Sequence, residues 1–218
     1  MRPLVILRPE PGAAATAAKA EAQGLEVRRH ALFAAEPVAW DLPQGRFDAL
    51  LLTSANAARL AGTLPDLPVH AVGEATAAAA RAAGLSVATV GRGGVETLLR
   101  DLPEHITLLH PGGAERVMPA APRQQITYVT VYRMRESPLP APDLLEGAVV
   151  LVHSPAAGRR LVNVAVRRER VRVAAISPAA AIACGFGWDW LEAAEEPSDA
   201  ALLFLAAKLC KEGADEQH

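Results

Sequence analysis

Five short polar turns hold most of the side chains in this sequence that could do chemistry: Thr53-Ser54, Gly73-Glu74-Ala75-Thr76, Pro111-Gly112-Gly113, Ser154-Pro155 and Ser177-Pro178. Each follows a short apolar run. Turns of Ser, Thr and Gly let backbone N–H groups approach a ligand closely and add hydroxyl donors. Where such a turn opens a helix, the free N–H groups favour an anion. Any one of these turns is also an ordinary helix N-cap, the position Ser and Thr fill best. Five of them, each at the end of an apolar run, make a polar rim that accepts anions.

Motifs for other chemistries fail one by one. No G-x-x-x-x-G-K-S/T loop is present for a nucleotide's phosphates, and Gly91-Arg92-Gly93-Gly94 lacks the spacing of a dinucleotide fingerprint. No G-x-S-x-G elbow offers a hydrolase nucleophile. His30, His70, His105, His110 and His153 are scattered without metal-ligand spacing, and His218 is terminal. His110 and His153 each follow an apolar run and read as structural. Cys184 and Cys210 fit no metal pattern and read as free thiols in a reducing compartment. What remains is an enzyme expected to need no metal or cofactor, working by binding, positioning and proton management.

Turns of this kind have to be held by regular elements, and the apolar periodicity supplies them. Residues 4–7, 25–31, 49–52, 69–72, 86–90, 107–109, 149–152 and 171–176 read as short strands. Helical stretches at 13–23, from 57, and at 76–83, 95–102, 156–164, 179–184 and 199–208 alternate with them. Gly24 and Gly84 stand where helix C-caps belong, and Ser198 stands as an N-cap behind Pro197. Continuous apolar strands alternating with helices imply an α/β protein with parallel sheets covered on both faces. Residues 128–133 are β-rich. Glu36-Pro37 and the stretch with Pro138, Pro140 and Pro142 read as linkers, and the polar tail 211–218 as frayed.

Bulk properties bound the answer further. The 218 residues suffice for one large domain or two of about 100 each. A net charge of −2 argues against a general nucleic-acid binder. Only Lys19, Lys208 and Lys211 among the basic residues are lysine. Arginine's planar fork suits carboxylates, although the abundance of alanine points to genome base composition as the source of that bias. No apolar run approaches the roughly 20 residues of a membrane span, and no signal peptide is visible behind Met1-Arg2-Pro3. The expected setting is the cytoplasm. With no long exposed apolar stripe, the expected state is a monomer.

The ordered series of turns resembles the uroporphyrinogen-III synthase family over nearly the whole chain. Leu4-Val5-Ile6-Leu7-Arg8-Pro9 is similar to the family's first strand ending in Arg-Pro. The segment from Asp48 through Thr53-Ser54-Ala55-Asn56-Ala57 resembles its strand running into Thr-Ser-x-Asn-Ala, and Ala71-Val72-Gly73-Glu74-Ala75-Thr76 its Val-Gly-x-x-Thr segment. Val129-Thr130-Val131-Tyr132 matches the strand carrying the family's tyrosine. Ile176-Ser177-Pro178 and Pro197-Ser198-Asp199-Ala200-Ala201-Leu202 fall where two later segments belong. Two departures stand out. Ser177-Pro178-Ala179-Ala180 replaces the Gly-Pro-Thr-Thr of many members, so two hydroxyl donors are absent, and His153-Ser154-Pro155 replaces the more usual Thr-Ser.

The resemblance implies two parallel-sheet α/β domains with flavodoxin-like halves, joined by two connecting strands with a cleft between them. Domain one would be discontinuous, residues 1–34 with 133–218, and domain two would be 35–132. It implies a substrate, hydroxymethylbilane, closed to uroporphyrinogen III with loss of water and inversion of ring D, without a cofactor. Tyr132 would assist departure of the substrate's hydroxyl. Thr53, Ser54, Asn56, Gly73, Thr76, Ser154 and Ser177 would contact its carboxylates, largely through backbone N–H groups, and Arg8 and Arg116 are the arginines best placed at strand ends to join them. The arginines at 159, 160, 167, 168, 170 and 172 read instead as a solvated face. Other readings of the same rim are a non-catalytic two-domain receptor for an anionic metabolite and an inactive paralogue.

Overall fold

The computed structural model describes residues 1–116, 118–138 and 140–211. In chain order its strands are β1 (Leu4–Ile6), β2 (Val27–Arg29), β3 (Phe33–Pro37), β4 (Ala49–Leu52), β5 (Val69–Ala71), β6 (Val87–Val90), β7 (Thr107–Gly113), β8 (Gln125–Glu136), β9 (Val149–Val152), β10 (Arg172–Ala175) and β11 (Trp190–Ala193). The helices are α1 (Gly12–Glu21), α2 (Ala55–Leu60), α3 (Glu74–Ala82), α4 (Gly94–Asp101), α5 (Pro142–Leu145), α6 (Pro155–Val164), α7 (Pro178–Ala183) and α8 (Asp199–Lys211). Contacts divide the chain into two compact units: Met1–Ala34 together with the chain from Glu136 onward, and Ala35–Arg135. At both crossings the backbone is extended, in β3 and in β8.

In the first unit the sheet order is β11-β10-β9-β1-β2, with neighbours parallel. Numbered within the unit this is 2-1-3-4-5, the flavodoxin-like order. Its strands are covered on both faces, so their residues alternate between two apolar layers. Leu4, Ile6, Val149 and Leu151 pack with Ala13, Ala17 and Ala20 of α1 and Leu202, Leu205 and Leu209 of α8. Val5, Leu7, Val150 and Val152 pack with Ala157 and Leu161 of α6 and Ala180 of α7. Each fully buried leucine or valine contributes roughly 1.5–3 kcal/mol, which the alanine-rich helices exploit by lying close to the sheet.

The second unit's sheet runs β3-β8-β7-β4-β5-β6, and its strands β4 to β8 are parallel neighbours. Their order within the unit is 3-2-1-4-5, the other doubly wound arrangement. Here β5 and β6 add on one side of β4 before the chain crosses back to start β7 on the other. Leu50, Leu52, Val69 and Leu109 face α2 and α3, whereas Ala49, Leu51 and Leu108 face Leu98 and Leu99 of α4.

Most elements stand where periodicity places them, with shifts at their starts. α2 begins at Ala55 behind Ser54, two residues before the expected start, and α3 begins at Glu74 rather than Thr76. Ser54 caps α2 with its side chain and draws the first turn back toward the strand, whereas α3 starts behind the extended backbone of Gly73, which has no side chain to cap with. Gly24 and Gly84 end α1 and α3 at φ +77° and +80°. In each case the next residue's N–H reaches back to the helix, Leu25 to Ala20 O and Leu85 to Ala80 O, as a Schellman motif requires. Glu36-Pro37, expected as a linker, lies instead in β3. That strand sits at the sheet edge, where a proline's missing N–H costs no ladder bond. α5 and β11 also escaped the periodicity reading, the first being four residues opened by Pro142 and the second a half-exposed edge strand. The expected fraying of the tail concerns residues 212–218, which lie outside the described residues. Among the described residues no helix is long and apolar enough to cross a membrane.

Candidate functional site

In a doubly wound sheet, ligands bind beyond the carboxyl ends of the strands, where the strand order reverses. In the second unit that point lies between β4 and β7. β4 ends in Leu52 and hands the chain to Thr53 and Ser54; β7 delivers His110, Pro111, Gly112 and Gly113. Thr53 Oγ1 lies 2.9 Å from His110 Nε2. Ser54 is the N-cap of α2 and its Oγ accepts from the Asn56 N–H at 3.1 Å. The same Oγ accepts the O–H of Tyr132 at 3.1 Å. Two adjacent turn residues are therefore gripped from two strands, Thr53 from β7 and Ser54 from β8.

Glycine makes this convergence possible. A Cβ on Gly113 would sit 2.9 Å from Tyr132 Cζ, and one on Gly112 would sit 2.9 Å from His110 Cε1. His110 is 2% exposed and stacks edge-on against Tyr128, with ring centroids 5.2 Å apart. Burial, then the charge of Arg116, lowers its pKa to about 4, so the imidazole is neutral near neutral pH. Arg116 turns its fork back onto β8: Nη1 donates to Val129 O at 3.1 Å, Nη2 to Thr130 Oγ1 at 2.6 Å, and the guanidinium lies over the Tyr128 ring. On the neighbouring strand end, Gly73 is the extended N-cap of α3 with open space where a Cβ would be, and Thr76 is buried in the helix's first turn.

The first unit repeats the arrangement with different groups. The order reverses between β1 and β9, after which come Arg8 and His153. Both reach Asp199, the first residue of α8. Arg8 Nη1 donates to Asp199 Oδ1 at 3.4 Å and to Thr16 Oγ1 at 3.3 Å, and His153 Nε2 lies 3.4 Å from the same Oδ1. Thr16 donates to Oδ1 at 2.9 Å and Lys19 to Oδ2 at 3.1 Å. Burial raises the Asp199 pKa, but the hydrogen bonds from Lys19 and Thr16 outweigh it, and the carboxyl is held below its ordinary value. Burial, then Arg8, pushes His153 down to about 4 against the pull of Asp199. Gly12 leaves Arg8 room, since a Cβ there would meet its guanidinium at 2.5 Å. Ser154 caps α6 and Ser177 caps α7, each accepting a helical N–H, from Ala157 and Ala180.

Of the residues singled out in the sequence, the fold thus bonds Tyr132 to Ser54, with Asn56 in the turn that Ser54 caps, and sets Thr53 beside them on His110. Arg116 stands beside them but bonds to β8. Gly73 and Thr76 lie one strand away, and Arg8, Ser154 and Ser177 line the rim of the other unit. In the sequence His110 and His153 read as structural, and Thr16 and Tyr128 are not singled out for a site. The two histidines carried a usable signal, each following an apolar run, with His153 also standing directly before the cap Ser154. Thr16 carried none, and Asp199 stood only within the 197–202 segment of the resemblance. A cavity of about 380 Å³ beside the start of β8 is lined by Glu96, Arg100, Arg123 and Gln124. It lies at the start of β8, not at the strand ends of its own unit's rim, and its polar groups are largely occupied: Glu96 accepts from Ala120 N–H, Arg123 pairs with Glu104, and the Gln124 amide caps the carbonyls ending α4.

Likeness to known proteins concerns the chain as a whole. A family model described as uroporphyrinogen-III synthase HemD matches residues 14–203. A crystal structure of uroporphyrinogen-III synthetase from Helicobacter pylori 26695 aligns with a TM-score of 0.67 at 20% identity, covering 96% of this chain and 100% of that one. At that identity the likeness speaks for the fold. A mutant uroporphyrinogen III synthase from the extremely thermophilic bacterium Thermus thermophilus aligns with a TM-score of 0.47 at 22% identity, covering 96% and 100%. No curated protein sequence matches the chain.

Proposed function

Because the chain belongs to the uroporphyrinogen-III synthase family, we propose that it is a cofactor-free lyase that closes hydroxymethylbilane to uroporphyrinogen III, with loss of water and inversion of ring D. The substrate carries many carboxylates and a hydroxymethyl leaving group. Loss of that hydroxyl leaves an azafulvene stabilised by its own pyrrole. Uncatalysed closure gives the uninverted I isomer, so the enzyme's main work is to hold a folded conformer and ease departure of the hydroxyl. Both rims offer donors suited to carboxylates: helix starts behind Ser54, Gly73, Ser154 and Ser177, the hydroxyls of Thr53 and Thr76, the amide of Asn56, and the guanidinium groups of Arg8 and Arg116.

The observation that carries the reading is Tyr132. It is a nearly buried phenol on β8 whose O–H donates to Ser54 at the mouth of α2. In the proposed reaction that O–H turns to the departing hydroxyl, and Ser54 holds the ring in place until substrate arrives. The protein acts as a monomer in the cytoplasm on this reading, for which a sedimentation mass of one chain is the expected result. The deciding experiment incubates purified protein with hydroxymethylbilane and separates the product isomers. Isomer III in excess over the enzyme is expected; isomer I alone, formed at the uncatalysed rate, would end the synthase reading.

A further inference from the structure

Building on that reading, we propose that His110 is a positioning residue that fixes Thr53 as a hydrogen-bond donor, so that the Thr53 hydroxyl is committed to an anionic oxygen of the ligand. The argument is one of proton placement. The neutral ring carries one N–H, and its two nitrogens are in different surroundings. Nε2 faces Thr53 Oγ1 at 2.9 Å, while Nδ1 is buried with no partner among the described residues. A proton on Nδ1 would bury an N–H donor with nothing to accept it, at a cost of about 1–3 kcal/mol. A bare lone pair there is more easily borne than an orphaned N–H. The proton therefore sits on Nε2, and His110 donates to Thr53.

Thr53 Oγ1 then accepts from the ring, and its own hydrogen has to be directed elsewhere. Thr53 is half-buried, follows β4 directly and precedes the cap of α2. From that place its hydroxyl presents a donor at the end of β4. A carboxylate would take the Thr53 O–H directly, whereas a ligand group that itself donates would reach only the second lone pair of Oγ1 and leave that O–H without an acceptor. Discrimination by polarity of this kind is stronger than discrimination by size, because a mismatched buried polar group is left unpaired.

The first unit supplies an internal parallel. His153 also has a buried, partnerless Nδ1, and its Nε2 faces Asp199 Oδ1. A carboxylate can only accept, so that ring carries its proton on Nε2. The molecule thus already tolerates a bare, buried Nδ1 at the matching reversal of strand order in its other sheet.

Two measurements on the full chain test the proposal. The first is long-range 1H–15N NMR of the ligand-free protein, with the His110 signals identified by their loss in His110→Gln. The Nε2–H tautomer is expected; an Nδ1–H tautomer overturns the proposal whatever the protein's activity. The second is kinetic. His110→Leu should raise KM for hydroxymethylbilane about tenfold, the scale of one lost hydrogen bond, with a smaller change in kcat. His110→Gln, which keeps a side-chain N–H, should recover most of that loss. Thr53→Val should raise KM similarly, and the double variant should be no worse than either single one. Additive effects of the two substitutions, or equal damage from Leu and Gln, would overturn it. If the wild-type protein makes no isomer III, the synthase reading falls alone and the tautomer still decides the role of His110.

Discussion

Two imidazoles, His110 and His153, tie the stability of this protein to pH. Each is held near pKa 4 in the folded chain, His110 by burial and then Arg116, and His153 by burial and then Arg8 in spite of Asp199. In the unfolded chain they would titrate near the ordinary value of about 6.5. Between those values the unfolded state binds more protons than the folded one, so stability is intact above about pH 6.5 and declines as the pH falls toward 4. The loss approaches about 3 kcal/mol per histidine at the acid end of that window. Urea midpoints measured from pH 7 to 4.5 should show the decline, and His110→Gln should remove its share. An unchanged slope in that variant would mean that His110 already titrates normally when folded. Tyr132 gives a second prediction at this scale. Tyr132→Phe loses only the O–H that reaches Ser54, so it should slow formation of isomer III at least severalfold while leaving thermal unfolding within a few degrees. Unchanged steady-state rates would remove Tyr132 from the mechanism.

At the scale of elements, strands and helices meet through small residues whose absent side chains are part of the design. Gly113 on β7 lets Tyr132 of β8 lie against the backbone, and Gly158 of α6 lets α7 approach until its Ala180 carbonyl would be 2.9 Å from an added Cβ. Gly158→Ala should destabilise by about 1–3 kcal/mol, because the clash is with backbone that has no rotamer to escape into. Gly113→Ala should cost a similar amount and also lower isomer III formation, since it displaces the ring carrying the proposed catalytic hydroxyl. Chemical denaturation paired with the isomer assay separates the two: a Gly113→Ala protein of full activity would show that the position of Tyr132 does not matter. Much at this scale was legible. Apolar runs, Gly24 and Gly84 as C-caps, and Ser54, Ser154, Ser177 and Ser198 as N-caps act through neighbours a few residues away. β3 was not legible, because Phe33-Ala34-Ala35-Glu36-Pro37 has little strand propensity of its own and depends on pairing beside β8.

Over the whole molecule, each unit keeps its own cores. Those of the second draw only on residues within Ala35–Arg135, a continuous segment. Expressed alone, that segment should therefore fold, with helical far-UV circular dichroism and one cooperative urea transition; a fragment lacking such a transition would show that its stability is borrowed. The first unit is built from two separated stretches, and neither contains a full core. From the sequence came the α/β class, the parallel strands, the polar turns at their ends and, through resemblance, the family. Each rests on local pattern: the spacing of apolar residues, the capping preferences of Ser and Gly, and motifs a few residues long. Tertiary structure alone decided the two strand orders and the partners at each reversal. Thr53 meets His110 across 57 residues, Ser54 meets Tyr132 across 78, and Arg8 meets Asp199 across 191. No local signal marks such pairs. They exist because burying both faces of each sheet fixes the order of its strands, and that order brings distant strand ends side by side.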